Sequence, residues 1–158
     1  MWGVAWLRAL KGSWMVRIDF SKLFLTGHPE IDADHRLIVD AINGLSRAIQ
    51  DKDYELCCER CDHFFESIEG HFGREESILE ELGFPRLDGH RESHRNLQEK
   101  ALTLKGCCLE VREKNNPCPH IDDLLDIVIA DFIKYDTEFK SFLDWKGFST
   151  GELPSFAL

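Results

Sequence analysis

Four successive runs of apolar residues return at every third or fourth position, and that periodicity confines the chain to helices. The first run extends from about Ile31 to Gln50 and carries Ile31, Leu37, Ile38, Ile42, Leu45 and Ile49, until "QDKD" breaks it. The second runs from Tyr54 to Leu82 with Leu56, Cys57, Cys61, Phe64, Phe65, Ile68, Phe72, Leu79 and Leu82. "GFP" at Gly83 to Pro85 stops it, Gly83 serving as the C-cap and Pro85 barring continuation. Asp88 can cap a third helix bearing Leu97, Ala101, Leu104 and Cys108. After "KNNPCP", Asp122 opens a fourth, through Leu124, Leu125, Ile127, Val128, Ile129, Phe132, Ile133, Phe139, Phe142 and Leu143. No segment alternates apolar and polar residues for long enough to make a strand. Four helices with short connections predict an all-α, up-down-up-down antiparallel four-helix bundle over residues 18–145.

The ends read differently. Residues 1–17 are apolar, with Trp2, Trp6 and Trp14, but lack the cationic start and small-residue cleavage site of a signal peptide. Two readings fit: an amphipathic arm packing on the bundle, or an upstream start with the product beginning at Met15. Residues 146–158 read as a short tail. The 158 residues suffice for one domain with a single sizeable core. A net charge of −10 argues against nucleic acid and against an anionic membrane surface, and no apolar run is long enough to span a bilayer. Six cysteines without a signal peptide point to a reducing compartment, so the expected location is the cytoplasm.

"CCERC" at Cys57, Cys58 and Cys61 looks like half a zinc site, but the other half is missing. Cys107 and Cys108 are adjacent, and Cys118 sits between two prolines. Cys57 and Cys61 share a helix face with Phe64 and Ile68 and read as small core residues. A redox role is the alternative for Cys58, Cys107 and Cys118.

The polar residues on the apolar faces carry the functional signal. In "HFGREESILEELGFPRLDGHRESH", His71 and Glu75 are four apart, as are His90 and His94, so each pair stacks on one helix face. Those are the core faces. A buried polar group costs several kcal/mol unless paired, and metal coordination satisfies all four together. His35 lines up with Ile31, Ile38 and Ile42 on the first helix, and Asp131 lies beside Val128 and Phe132 on the fourth. Asp136 follows Asp131 by five residues, about 140° further round an α-helix. Four imidazoles and three carboxylates exceed the needs of one zinc. They suit two octahedral ions bridged by carboxylates, and the mixed nitrogen and oxygen set favours iron or manganese.

In these residues the chain resembles the bacteriohemerythrin branch of the hemerythrin family of non-haem diiron oxygen-binding proteins. "GHPEIDADHRLIVDAINGL" is similar to the family's first-helix signature, with His35 at the ligand position. The longer stretch quoted above matches its central motif of H-x-x-x-E, a Gly-aromatic-Pro turn and H-x-x-x-H. The resemblance covers roughly residues 18–143. In the fourth helix, "DFIKYD" keeps the family's spacing and its final acid, Asp136, while Asp131 stands where the family has a histidine. His120 lies too far upstream to replace it, and His28 and His63 read as surface or capping residues.

The resemblance implies two iron ions, with a manganese or mixed pair as the variant, and dioxygen or a related diatomic as the ligand. It implies that His35 and His71 hold the ion with the open position. His90, His94 and Asp131 hold the other, and Glu75 and Asp136 bridge. The expected role is that of an oxygen carrier, store or sensor rather than an enzyme. Two alternatives stand: a diiron enzyme acting on peroxide, oxygen or nitric oxide, and an iron-handling or storage protein.

Overall fold

Local capping signals set where the helices begin and end in the computed structural model, which describes residues 17–114 and 121–148. A 3-10 turn at Lys22–Phe24 leads towards α1 (Pro29–Gln50), which has Pro29 in its first turn, where the missing N–H costs nothing. Asp32 reaches back from that turn. Its carboxylate accepts the Thr26 backbone N–H (2.6 Å), the Thr26 hydroxyl (2.8 Å) and the Gly27 N–H (3.2 Å), cinching the preceding loop onto the helix. Helix α2 (Tyr54–Leu82) starts at Asp53, whose side chain accepts the Leu56 N–H at 3.0 Å. It ends at Gly83, whose φ of 75° is left-handed, and the N–H groups of Gly83 and Phe84 return to the carbonyls of Glu80 and Leu79.

Helix α3 spans Leu87–Lys114. It starts one residue before Asp88, which lies in the first turn as a favourable charge at the helix's positive end rather than as the cap. The fourth rod has three parts: α4 (Ile121–Ile129), a π-helical segment (Ala130–Tyr135) and α5 (Asp136–Trp145). Residues 51–53 and 83–86 are too few to do more than reverse the chain, so α1, α2 and α3 run antiparallel. Helix α1 packs on α2, α2 on α3, α3 on α4, and α4 returns to α1. The bundle is all-α, and no strand occurs among the described residues.

The core is divided along its length. A larger apolar cluster contains Ile38, Ile42, Leu45, Cys57, Cys61, Phe64, Ile68, Phe72, Leu97, Leu124, Val128 and Phe132. A smaller one contains Ile31, Leu79, Phe84, Phe139 and Leu143. Between them lies a layer of fully buried polar residues. On α1, His35 separates Ile31 from Ile38; on α2, His71 and Glu75 separate Ile68 from Leu79.

The apolar periodicity overreached at one position. Leu37 is 56% exposed, because the buried stripe of α1 runs through Ile31, Asp34, His35, Ile38, Val39 and Ile42. Being apolar did not put Leu37 at the right angle. Cys57 and Cys61 are buried, as read, while the side chains of Cys107 and Cys108 lie outside the described residues. So do residues 1–16 of the proposed arm at 1–17, Met15 among them, Cys118, His120, and residues 149–158 of the proposed tail at 146–158. No helix among the described residues is long and apolar enough to cross a membrane.

Candidate metal centre

All four rods contribute to the polar layer. His35 comes from α1, His71 and Glu75 from α2, His90 and His94 from α3, and Asp131 and Asp136 from the fourth rod. None of the seven exceeds 2% exposure. His35, His71 and Glu75 present ligand atoms within 4.8 Å of one another, and Glu75, His90 and His94 form a second such set. Glu75 belongs to both. Its Oε2 lies 3.3 Å from His71 Nε2, while its Oε1 contacts His90 Nε2 and lies 3.5 Å from His94 Nε2.

The π-helical segment is what brings the two aspartates into register. In an α-helix, residues five apart diverge by about 140°. Here the Asp136 N–H bonds to the Asp131 carbonyl, so five residues close one turn and both carboxylates enter the layer. Such segments are rare and cluster at functional sites. Asp136 Oδ2 lies 3.1 Å from His35 Nε2. Asp131 Oδ2 accepts from His71 Nε2 at 3.2 Å, and its Oδ1 lies 3.4 Å from His94 Nε2.

The outward-facing ring nitrogens decide which nitrogen is left inward. His35 Nδ1 is 2.6 Å from the Phe24 carbonyl, an acceptor only, so Nδ1 carries the hydrogen and Nε2 keeps its lone pair. The loop cinched by Asp32 delivers that carbonyl. His94 Nδ1 meets the Glu76 carboxylate at 2.8 Å, and Arg91 stands behind Glu76 at 3.4 Å. His71 Nδ1 faces Asp34 at 3.8 Å, and Arg74 grips Asp34 through two 2.8 Å bonds. Phenyl rings wall the layer: Phe132 stacks on His35 at 3.9 Å and Phe72 on His94 at 4.0 Å.

Charge is distributed unevenly. Burial resists a charge on His71, but its bond to Asp131, the Asp34 carboxylate 3.8 Å away and the nearby Glu75 outweigh it and hold the imidazole well above its usual range. Burial likewise works against the charge on Asp131, yet His71 and His94 keep that carboxylate well below the usual range. Burial and His94 push His90 down to about 3. Glu75 is raised by burial and by Asp136, and Asp136 by burial and by Asp131. Burial also acts upwards on Asp34, but His71 and Arg74 draw it down to about 2.

This network leaves much unsatisfied. Among the described residues, His35 Nε2, His94 Nε2, Glu75 Oε2, Asp131 Oδ1 and both Asp136 oxygens are buried without a hydrogen bond. Each such atom costs about 1–3 kcal/mol. Imidazole and carboxylate donors converging in one buried layer fit first-row transition ions. The sequence reading missed Asp34, Arg74, Glu76 and the Phe24 carbonyl. Asp34 and Glu76 each adjoin a marked residue, but nothing local shows which way they face. His28 occupies the position before α1, yet its side chain makes no capping bond and its ring packs on Phe148 at 4.7 Å. His63 is exposed.

Residues 26–133 match the family described as the Hemerythrin HHE cation binding domain. That span contains His35, His71, Glu75, His90, His94 and Asp131, and it ends before Asp136. The chain is 29% identical over 97 residues to a myohemerythrin of Theromyzon tessulatum, covering 61% of this chain and 73% of that protein. It is 32% identical over 69 residues to a bacteriohemerythrin of Pseudomonas aeruginosa, covering 44% of this chain and 45% of that protein. A bacteriohemerythrin of Pseudomonas paraeruginosa aligns to the same extent.

Proposed function

The chain belongs to the hemerythrin family of cation-binding domains, and from that premise we propose that its polar layer holds two iron ions and binds dioxygen. The supporting observation is the set of buried ligand atoms that have no hydrogen bond and converge from four rods, with Glu75 shared between two sets. His35, His71, Glu75, His90, His94, Asp131 and Asp136 are the proposed ligands. A ferrous pair held there would supply the electrons that dioxygen binding requires. The residues do the rest. Phe24 and Glu76 fix the tautomers of His35 and His94, so that Nε2 of each is ready to coordinate. Phe72, Phe132 and Phe139 pack against the imidazoles of His94, His35 and His90 and keep bulk water from them. Glu76, bonded to His94 Nδ1, increases the electron-donating strength of that imidazole.

The role we propose is an oxygen carrier, store or sensor. Three carboxylates among seven ligands favour a second reading, a diiron protein that consumes peroxide, oxygen or nitric oxide, since extra anionic ligands stabilise the ferric state. Anaerobic loading with Fe(II), elemental analysis and optical spectra before and after air distinguish them. About two iron ions per chain, with an absorbance that appears in air and reverses on degassing, is the expected result. Irreversible consumption of oxygen would establish the enzyme instead, and iron lost readily to an apo-acceptor would indicate iron handling. Failure to take up any metal would overturn all three.

A further inference from the structure

Asp131 touches both halves of the layer. Its Oδ2 is 3.2 Å from His71, which belongs to the set with His35, and its Oδ1 is 3.4 Å from His94, which belongs to the set with His90. Glu75 does the same from α2, with Oε2 beside His71 and Oε1 beside His90 and His94. Asp136 behaves differently: its Oδ2 is 3.1 Å from His35, on one half.

We propose that Asp131 and Glu75 are the two bridging carboxylates and that Asp136 is a terminal ligand of the ion held by His35 and His71. This rests on the two-metal reading and reverses the roles that the family resemblance implies for the two aspartates. Side-chain length supports it. An aspartate is shorter than the histidine that the family resemblance places at this position, and from the same backbone it cannot reach the same terminal point. It stops between His71 and His94, where a carboxylate can give one oxygen to each of two ions. The five-residue turn lets Asp136 join the same layer from the next turn, on the His35 side. The consequence is a shift of the open position. The His35 and His71 ion gains a third protein ligand of its own, while the His90 and His94 ion has two imidazoles plus the shared carboxylates, so an external ligand enters beside His90 and His94.

Purified full-length protein is titrated anaerobically with Mn(II), and bound metal and electron paramagnetic resonance are recorded for wild type, Asp131→Asn and Asp136→Asn. Loss of a bridging ligand should weaken both ions by at least about tenfold, and loss of a terminal ligand only one. We therefore expect Asp131→Asn to weaken both. Asp136→Asn should retain one tight ion with the six-line spectrum of isolated Mn(II). If Asp131→Asn loses one ion and Asp136→Asn loses both, the proposal is overturned. It is also overturned if Asp131→Asn binds as wild type does. Asp131→Ala, which removes a buried charge outright, carries the same comparison should the Asn variant fail to fold. Wild type that binds no Mn(II) and no Fe(II) sinks the two-metal reading itself, whereas wild type binding two ions with reversed variant effects sinks this inference alone.

Discussion

The two halves of the polar layer are built from similar side chains and secured differently. His35 is fixed by a neutral backbone carbonyl, and its neighbour His71 faces a carboxylate gripped by Arg74. Across the layer, His94 is fixed by Glu76, while His90 Nδ1 has no partner among the described residues. Electrostatics widens the contrast. His71 sits among Asp131, Asp34 and Glu75 and retains its proton, whereas His90, packed edge-on against Phe139 at 5.3 Å, is neutral at any ordinary pH. One half therefore carries a protonated imidazole among Asp131, Asp34 and Glu75, which offsets part of their negative charge. His90 offers the other half no such charge.

The largest effect should come from removing the metal. A ligand present at about a thousand times its Kd stabilises by about 4 kcal/mol. For a chain of this length, that corresponds to a Tm drop of roughly 10 °C on chelation. Calorimetry with and without chelator measures it. An unchanged Tm would mean that the groups satisfy one another and that neither half is a metal site.

Glu75→Ala tests whether the halves share a ligand. It should abolish binding of both ions, while His90→Ala should leave about one ion in the other half. Elemental analysis of the loaded variants decides, and equal losses in the two would erase the distinction between halves.

The outer carboxylates should follow their distances. Removing such a partner costs about 10–100-fold in metal affinity. Glu76→Gln, at 2.8 Å from His94, should reach that range, and Asp34→Asn, at 3.8 Å from His71, should fall below it. Competition titration against a chromophoric chelator gives both numbers, and the reverse order would make Asp34 the stronger anchor.

The smallest effect is a pH slope. Groups whose folded pKa is raised, as for His71, Glu75 and Asp136, stabilise the folded state below their unfolded values and lose that contribution as pH rises through the folded ones. The metal-free protein should therefore melt lower as pH climbs above about 6.5, the unfolded value of histidine. Metal competes with the His71 proton, so the gap between loaded and metal-free Tm should widen over the same range. A metal-free Tm that rises with pH would contradict the protonated state of His71.

The positions of most ligand candidates were legible in the chain, and their partners were not. His71 with Glu75, and His90 with His94, stand out because four-residue spacing on an apolar face is a local property. Asp131 and Asp136 were awkward on the same grounds: an α-helical wheel set them about 140° apart, although each lay among core residues. That conflict was the trace of the π-helical turn, but a sequence pattern does not show where a helix admits an extra residue. Leu37 marks the opposite failure, an apolar residue in the run that points to solvent.

What the sequence determined by itself is the set of helices, the Gly83 cap of α2 and the faces that carry polar groups, since these depend on residues within one or two turns. Gly83 needed only its own left-handed φ and the carbonyls of Glu80 and Leu79 to end α2. Which groups meet was decided by the tertiary structure alone. The Phe24 carbonyl reaches His35, Arg74 reaches Asp34, and Asp131 stops between His71 and His94 because separate rods pack at a particular depth and rotation. Contacts of that kind join residues as far apart in the chain as His35 and Asp136, and no local pattern records them.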